Sequence, residues 1–263
     1  MAAPEGTVAA LVSPVPSFEF GANQFYGLQL HGDWLYVCAE FNVFGADINL
    51  VKRFNVETGS EDVGFTFGLE SILPDDSTSG SSSTTPQGIA VNDTRVFISK
   101  GGNPEVLAFD HSGNRQSGDD INTGSNTNAI WADNDNLYTL EFSTARFYRY
   151  ALDGSGRTSI SGQSARNDSV IDGLAVDVPN NRIYFTFRGF DPDSILSRTI
   201  GDTGSSNNNT TVASLPDNFN ARALANVDGV LIAGSQTGTV ESRSLSGAEG
   251  LYIRGGAAWI AYP

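Results

Sequence analysis

The chain has 263 residues, 39% of them hydrophobic, and a formal net charge of -15 from 30 acidic against 15 basic side chains. That apolar content supplies a core and excludes wholesale disorder, while no apolar run approaches the roughly 18 residues that span a bilayer. Only Lys52 and Lys100 are lysines, and with no basic cluster to neutralise phosphates, nucleic acid and anionic membrane are poor partners.

The first stretch, MAAPEGTVAALVSPVPSF, lacks a basic n-region and carries Glu5, so it is not expected to act as a secretory leader. Within and after it, GTVAALVSP (6–14) and SFEFG (17–21) have the form of strands. From Tyr26 a repeat begins: a small residue, a short apolar run, a polar turn, then a second strand-like run. Its copies are YGLQLHGDWLYVCAE (26–40), QGIAVNDTRVFISKG (87–101), NAIWADNDNLYTLEF (128–142), DGLAVDVPNNRIYFTFR (172–188), ARALANVDGVLIAGS (221–235) and EGLYIRGGAAWIAYP (249–263). In four of them the step from the small residue to the second run is the same: Gly27 to Trp34, Gly88 to Arg95, Ala129 to Asn136 and Arg222 to Gly229.

A third strand closed by a turn follows five of the copies, as in LVKRFNVETG (50–59), VLAFDHSG (106–113), RFYRYALDGSG (146–156), ILSRTIGDTG (195–204) and TVESRSLSG (239–247). The sixth copy has none after it, but GTVAALVSP and SFEFG supply the missing outer strands. SFEFG matches GFTFG (64–68), the fourth strand of the first unit. The segment 70–86, rich in Ser, Thr and Gly, reads as an exposed, flexible insertion, and GDTGSSNNNTT (201–211) as a long hairpin loop. One domain over 1–263 is expected, because the repeat continues on both sides of each insertion.

Repeats of this length, each unable to bury its faces alone, stack into rings or solenoids. The pattern resembles the six-bladed β-propellers of the broad NHL/TolB-like kind, over residues 6 to 263. The expected fold is therefore all-β, with six blades. The last blade is shared between about 6–21, giving the outer strands, and 249–263, giving the inner ones. A ring of five blades with an irregular closing sheet is the alternative count. Neither a WD dipeptide nor a kelch double glycine is present.

Candidate chemistry is sparse. The histidines, His31 and His111, both sit in turns, and no Gly-x-Ser-x-Gly elbow or phosphate loop accompanies them. The single cysteine, Cys38, lies in WLYVCAE and is expected to be a packed core thiol. DNDN (133–136) and DPDS (191–194) alternate oxygen side chains as a Ca2+ loop does, but Asp and Asn also build tight turns, and the turn reading is preferred. The Asn-x-Ser/Thr triplets at Asn92, Asn167, Asn208 and Asn209 are those expected by chance in so Asn- and Thr-rich a chain.

The repeat alignment yields one constellation: the residues just before each inner strand are Tyr26, Gln87, Asn128, Asp172, Asn220 (beside Ala221) and Glu249. In a propeller these converge at one mouth of the central channel and could hold a cation, a sugar or water. In gluconolactonase-like six-bladed propellers, carboxylates and an Asn hold a metal at this kind of place. Asp172, Asn128 and Glu249 are the positions that would carry it over. A second constellation, Phe41, Phe44, Arg188 and Phe190, has the aromatic and Arg content of docking anchors.

Two function classes follow. The first is a non-enzymatic binding or assembly module with no resident cofactor, docked on other proteins of a larger assembly such as a virus particle (a bacteriophage tail or capsid), and able to meet a receptor or surface glycan. The second is a metal-dependent hydrolase or lactonase using the channel ring.

Overall fold

The computed structural model describes residues 18–19, 22–68, 86–141, 146–160, 170–188, 194–202, 209–215, 221–227, 230–235, 240–244, 252–253 and 257–258. Polar turns cut this chain into antiparallel meanders. The first sheet holds β2 (Ala22–His31), β3 (Trp34–Val43), β4 (Ala46–Asn55) and β5 (Glu61–Gly68). The second holds β6 (Pro86–Val91), β7 (Val96–Lys100), β8 (Glu105–Phe109) and β9 (Ile121–Asn122). The third holds β10 (Thr127–Ala132), β11 (Asn136–Glu141), β12 (Arg146–Ala151) and β13 (Thr158–Ser159). The fourth holds β14 (Val170–Asp177), β15 (Arg182–Arg188), β16 (Ser194–Thr199) and β17 (Thr210–Ser214). The fifth holds β18 (Ala221–Val227), β19 (Val230–Ser235), β20 (Val240–Ser244) and β21 (Tyr252–Ile253).

Within each sheet, strand order follows chain order, and burial falls from the first strand outward. Inner strand β6 is almost wholly buried, whereas both residues of β13 are exposed. A strand covered on both faces should read as a continuous apolar run and an outer one as polar, which is how IAV and TS differ. Five apolar clusters lie between neighbouring sheets. Tyr36, Cys38 and Val51 meet Ile89 and Ile98, Phe97 and Val106 meet Ile130 and Tyr150, and Leu140 and Phe147 meet Leu174 and Phe185. Ala175, Tyr184 and Ile195 meet Leu224 and Leu231. The fifth cluster joins Phe25, Val37 and Phe54 of the first sheet to Ala223, Ala225 and Ile232 of the last. At roughly 1.5–3 kcal/mol per fully buried large apolar side chain, these interfaces dominate the stability. Sheets packed face to face around a common axis make a β-propeller.

The expected count of six sheets is corrected. Among the described residues there are five four-stranded sheets, and the ring closes by packing the fifth directly on the first. Tyr252–Ile253, expected as an inner strand of a sixth sheet, is instead the outermost strand of the fifth, opposite Val240 and Glu241. A two-stranded pair remains, β1 (Phe18–Glu19) with β22 (Ala257–Ala258), in the register Phe18↔Ala258. The rest of 6–21 and 249–263, with the inserted segment 70–85, lies outside the described residues. The reason for the miscount is physical: Leu-Tyr-Ile fits an inner and an outer strand equally well, and only packing against a neighbour tells them apart. Among the described residues no helix is long and apolar enough to cross a membrane.

The inner strands meet at the axis because side chains are missing there. A Cβ at Gly27 would lie 2.5 Å from the Ile89 backbone nitrogen, at Gly88 3.0 Å from that of Ile130, and at Gly173 3.0 Å from the Leu224 Cβ. Backbone that close cannot yield without moving a whole sheet. Gly27→Ala is therefore expected to lower unfolding stability by about 3 kcal/mol, the upper range for overpacking. Gly118→Ala, where a Cβ meets nothing within 4 Å, should stay within about 0.5 kcal/mol of wild type. Denaturant titration of the two variants compares them directly, and equal losses would show that the axis is not close-packed.

Candidate functional site

Every inner strand carries a β-bulge at the same place. The pairing register shifts between Phe25 and Gly27, between Pro86 and Gly88, between Thr127 and Ala129, between Ile171 and Leu174, and between Ala221 and Ala223. The residues inside those shifts are Tyr26, Gln87, Asn128, Asp172 (with Gly173) and Arg222. A bulge sets two residues against one and re-aims a side chain out of the regular alternation. Tyr26, Asp172 and Arg222 accordingly line one small cavity with the axial glycines. Of the expected ring residues, Tyr26 and Asp172 line this cavity and Asn128 bonds to Asp172, while Gln87 holds the corresponding bulged position of the second sheet. Asn220 and Glu249 lie outside the described residues. The fifth bulged position is Arg222, which the sequence reading missed by one residue. Pairing of Ala223 with Gly234 shows that Ala223, rather than Arg222, is the counterpart of Gly27. The available signal was the small residue, Gly or Ala, that follows each bulge.

The ring is polar and carries both charges. Asn128 Nδ2 donates to Asp172 Oδ1 at 3.5 Å, and Asp172 is only 5% exposed. Burial is the main cause that raises the Tyr26 hydroxyl above its ordinary 10.0, followed by the negative charge of Glu40, and Arg222 opposes both. At neutral pH Tyr26 is therefore a protonated donor rather than a base. The cavity behind the ring has a volume of about 10 Å³, of the order of a single water. Further along the first inner strand, Gln29 is buried and bonds across to two other sheets. Its Nε2 donates to Val91 O and Ala132 O, both at 2.8 Å, and its Oε1 accepts from Val91 N at 2.9 Å and Ala132 N at 3.2 Å. One side chain of the first sheet thereby ties the second and third.

Comparison with known proteins adds the fold and nothing finer. No protein-family model and no curated protein sequence matches the chain. Among solved structures, it is similar to a chain of a nidogen/laminin complex, at 14% identity over 89% of each chain with a TM-score of 0.54. It is also similar to the glutaminyl cyclase of Myxococcus xanthus, at 11% identity over 89% of this chain and 94% of that one, TM-score 0.54. A third is the PQQ-bound aldose sugar dehydrogenase of Streptomyces coelicolor, at 16% identity over 95% and 86%, TM-score 0.52. One of these is a binding complex and two are enzymes, so the β-propeller fold leaves the function class open. Neither the fold nor these neighbours supports a virion location.

The expected docking set is divided. Phe41 is 2% exposed and packs in the first core cluster, with Lys52 Nζ 4.6 Å from its ring centroid. It is therefore a core residue and not a surface anchor, because its strand position faces the fifth sheet. Phe44 is fully exposed and caps the hairpin between β3 and β4. It adopts φ 54° beside Gly45 at φ 86°, the left-handed pair of a type I′ turn that favours Asn-Gly. The Arg188 side chain and Phe190 lie outside the described residues. DNDN behaves as a turn: Asp133 Oδ1 accepts from Asp135 N at 2.9 Å and Asn136 N at 2.7 Å. Asp191–Asp193 lie outside the described residues, among which no cluster of three or more metal-ligating acids, His or Cys occurs. Cys38 is fully buried, and burial raises its thiol.

Both histidines stand at the other end of the propeller. Their rings stack at 6.4 Å, with His31 Nε2 3.0 Å from Asp93 Oδ1 and His111 Nε2 2.9 Å from Asn92 O. Burial holds His31 below its ordinary 6.5, outweighing the Asp93 carboxylate.

Two expectations follow. Phe44→Gly removes a non-glycine residue from left-handed backbone and should stabilise the fold by about 1 kcal/mol, read from the denaturant midpoint. A lower midpoint would show that the ring packs on something. For His31, the unfolded chain takes up a proton at higher pH than the folded one. Stability should therefore be lost as pH falls below about 6.5, and His31→Gln should flatten that loss. An unchanged pH profile in the variant would assign the acid sensitivity elsewhere.

Proposed function

We propose that the protein is a non-catalytic binding propeller whose channel mouth caps a polyhydroxylated group, such as the exposed end of a glycan on a partner's surface. The observation that supports this reading is the fivefold bulge. It accompanies a phenol, a carboxylate and a guanidinium that line one small cavity, with the Asn128 amide bonded to the carboxylate, so donors and acceptors stand side by side. Vicinal hydroxyls both donate and accept, and they match Asp172, Asn128 and Arg222 better than a simple ion does. Binding geometry fixed by five sheets loses little entropy on association. A cavity of about 10 Å³ behind the ring suits a terminal group that caps it and not a substrate that passes through.

A metal-dependent hydrolase is the weaker reading. A divalent cation at Asp172 would face the Arg222 guanidinium in the same ring, and like charges in a partly buried site are costly. The two histidines, the usual general bases, lie at the far end. Attachment to a larger assembly fits a disc-shaped fold with Phe44 projecting from a hairpin tip, and the acidic balance favours a basic or neutral partner surface.

The test is a glycan-array screen with the full chain, followed by calorimetric titration of the hits. Arg222→Gln and Asp172→Asn should each weaken binding about tenfold, since each leaves a hydroxyl without its charged partner, with folding checked by circular dichroism. Binding that survives both changes would overturn the site. A screen without hits, together with a hydrolytic activity lost in Asp172→Asn, would replace it with the enzyme.

A further inference from the structure

The end of the propeller opposite the bulged ring holds a second, larger opening. It is about 500 Å³ and is lined by Leu30, Trp131, Val176 and the turn residues Asp133, Asp135 and Asp177, among others. We propose that this opening is a second ligand site, specific for small organic cations that join an ammonium group to a flat apolar body.

Three features carry the assignment. The first is shape: 500 Å³ lies in the range of small-molecule pockets, against 10 Å³ behind the bulged ring. The strands beside it are fixed, because Gln29, one residue before Leu30, ties the second and third inner strands with four hydrogen bonds. The second is the aromatic wall. Trp131 packs edge-on against Tyr138, with centroids 5.4 Å apart at 65°, and is only partly buried, so indole surface remains at the cavity beside Leu30 and Val176. Indole is the best ring for attracting a cation over its face.

The third is charge. Asp133, Asp135 and Asp177 line the cavity and no basic residue does. The arginines nearest this wall sit on neighbouring strands, Arg149 opposite Tyr138 and Arg182 opposite Asp177. Carboxylates alone would not single out a site, since Asp is common in turns. Here they rim an apolar, aromatic cavity, and that combination selects a ligand both cationic and apolar. The rim is also held in place. Asn134 Nδ2 donates to Asp93 Oδ2 at 2.6 Å, Asp93 N donates back to Asn134 Oδ1 at 3.0 Å, and Asp93 Oδ1 meets His31 at 3.0 Å. Hairpins of the first three sheets are thereby clasped before any ligand arrives, which limits the ordering cost of binding.

The test uses two probes that share a body and differ in charge, 2-phenylethylamine and 2-phenylethanol, titrated into the full-length protein by calorimetry and by NMR of the Trp131 indole N–H. The amine is expected to bind about tenfold more tightly than the alcohol, as an added charge pairing in a partly desolvated site allows. It should shift the Trp131 signal, and it should weaken as salt rises from about 0.02 to 0.3 M. Asp135→Asn combined with Asp177→Asn should abolish the preference for the amine while leaving the melting temperature near wild type. Asp133 is kept, because Asp135 N, Asn136 N and the Tyr138 hydroxyl all rest on its two carboxylate oxygens, whereas Asn at 177 retains the oxygen that accepts from Asn180 N. Equal affinity for the two probes would reduce the opening to an unspecific apolar slot and overturn the proposal. So would the absence of binding by both, or an amine preference that persists in the double variant. None of these outcomes depends on the bulged ring, so this site and the glycan reading stand or fall separately.

Discussion

The close approach of five inner strands at the axis is the constraint on which the rest of the molecule depends. Gly27, Gly88 and Gly173 leave no Cβ where neighbouring backbone passes, and Ala129 and Ala223 occupy the corresponding positions in the other two sheets. With the strands that near, each sheet can press both faces on its neighbours. The apolar clusters then run around the ring without a break, from the first interface to the one that joins the fifth sheet to the first. Enlarging an axial residue would push every sheet outward, so packing there is cooperative in a way that packing at the rim is not. Opposite Gly27 and Gly88 the second strands carry Cys38 and Ser99, compact and buried side chains.

Crowding at the axis also produces the site. A strand that continued its regular alternation would have to place a large side chain inward beside each small one. The bulge instead inserts one extra residue, Tyr26, Gln87, Asn128, Asp172 or Arg222 in the successive sheets, while the small residue stays at the axis. Gln29 lies between the two ends of these strands and ties the second and third sheets. One end is narrow, polar and of mixed charge. The other is wide, apolar at its wall and acidic at its rim. The two ends are thus chemically independent, although both are built from the same five strands.

Part of the acidic surplus has a local origin. Asp110, Asp133 and Asp177 each accept hydrogen bonds from residues of their own hairpins, as with Ser112 N and Asn114 N on Asp110. Turn chemistry needs short acceptor side chains, and a fold made of hairpins multiplies that need. Arg53 and Asp62, bonded at 2.6 Å on the outer strands, and Arg157 with buried Glu141 at 2.6 Å employ several of the few cations structurally. What remains is a surface with little positive charge to offer an anionic partner.

The repeat itself was legible in the sequence because it is enforced locally. Small residue, apolar run, Asx-rich turn and second run recur since each sheet must solve the same axial and turn problem, and the all-β propeller follows. The bulged positions of Tyr26, Gln87, Asn128 and Asp172 were legible too, standing just before those small residues. Three things were decided only by tertiary packing. The number of sheets depended on whether the fifth could rest on the first, a contact made by Phe25 with Gly234 and by Val37 with Ile232, and no local pattern reports it. Arg222 required the cross-strand register, because Ala221, Arg222 and Ala223 offer two small residues and only pairing with Gly234 picks the second. Phe41 read as a surface aromatic in EFNVFGAD, yet the pleat turns it inward and Phe44 outward. The sequence determines alternation along a strand, whereas which side faces a neighbour is set by the neighbour.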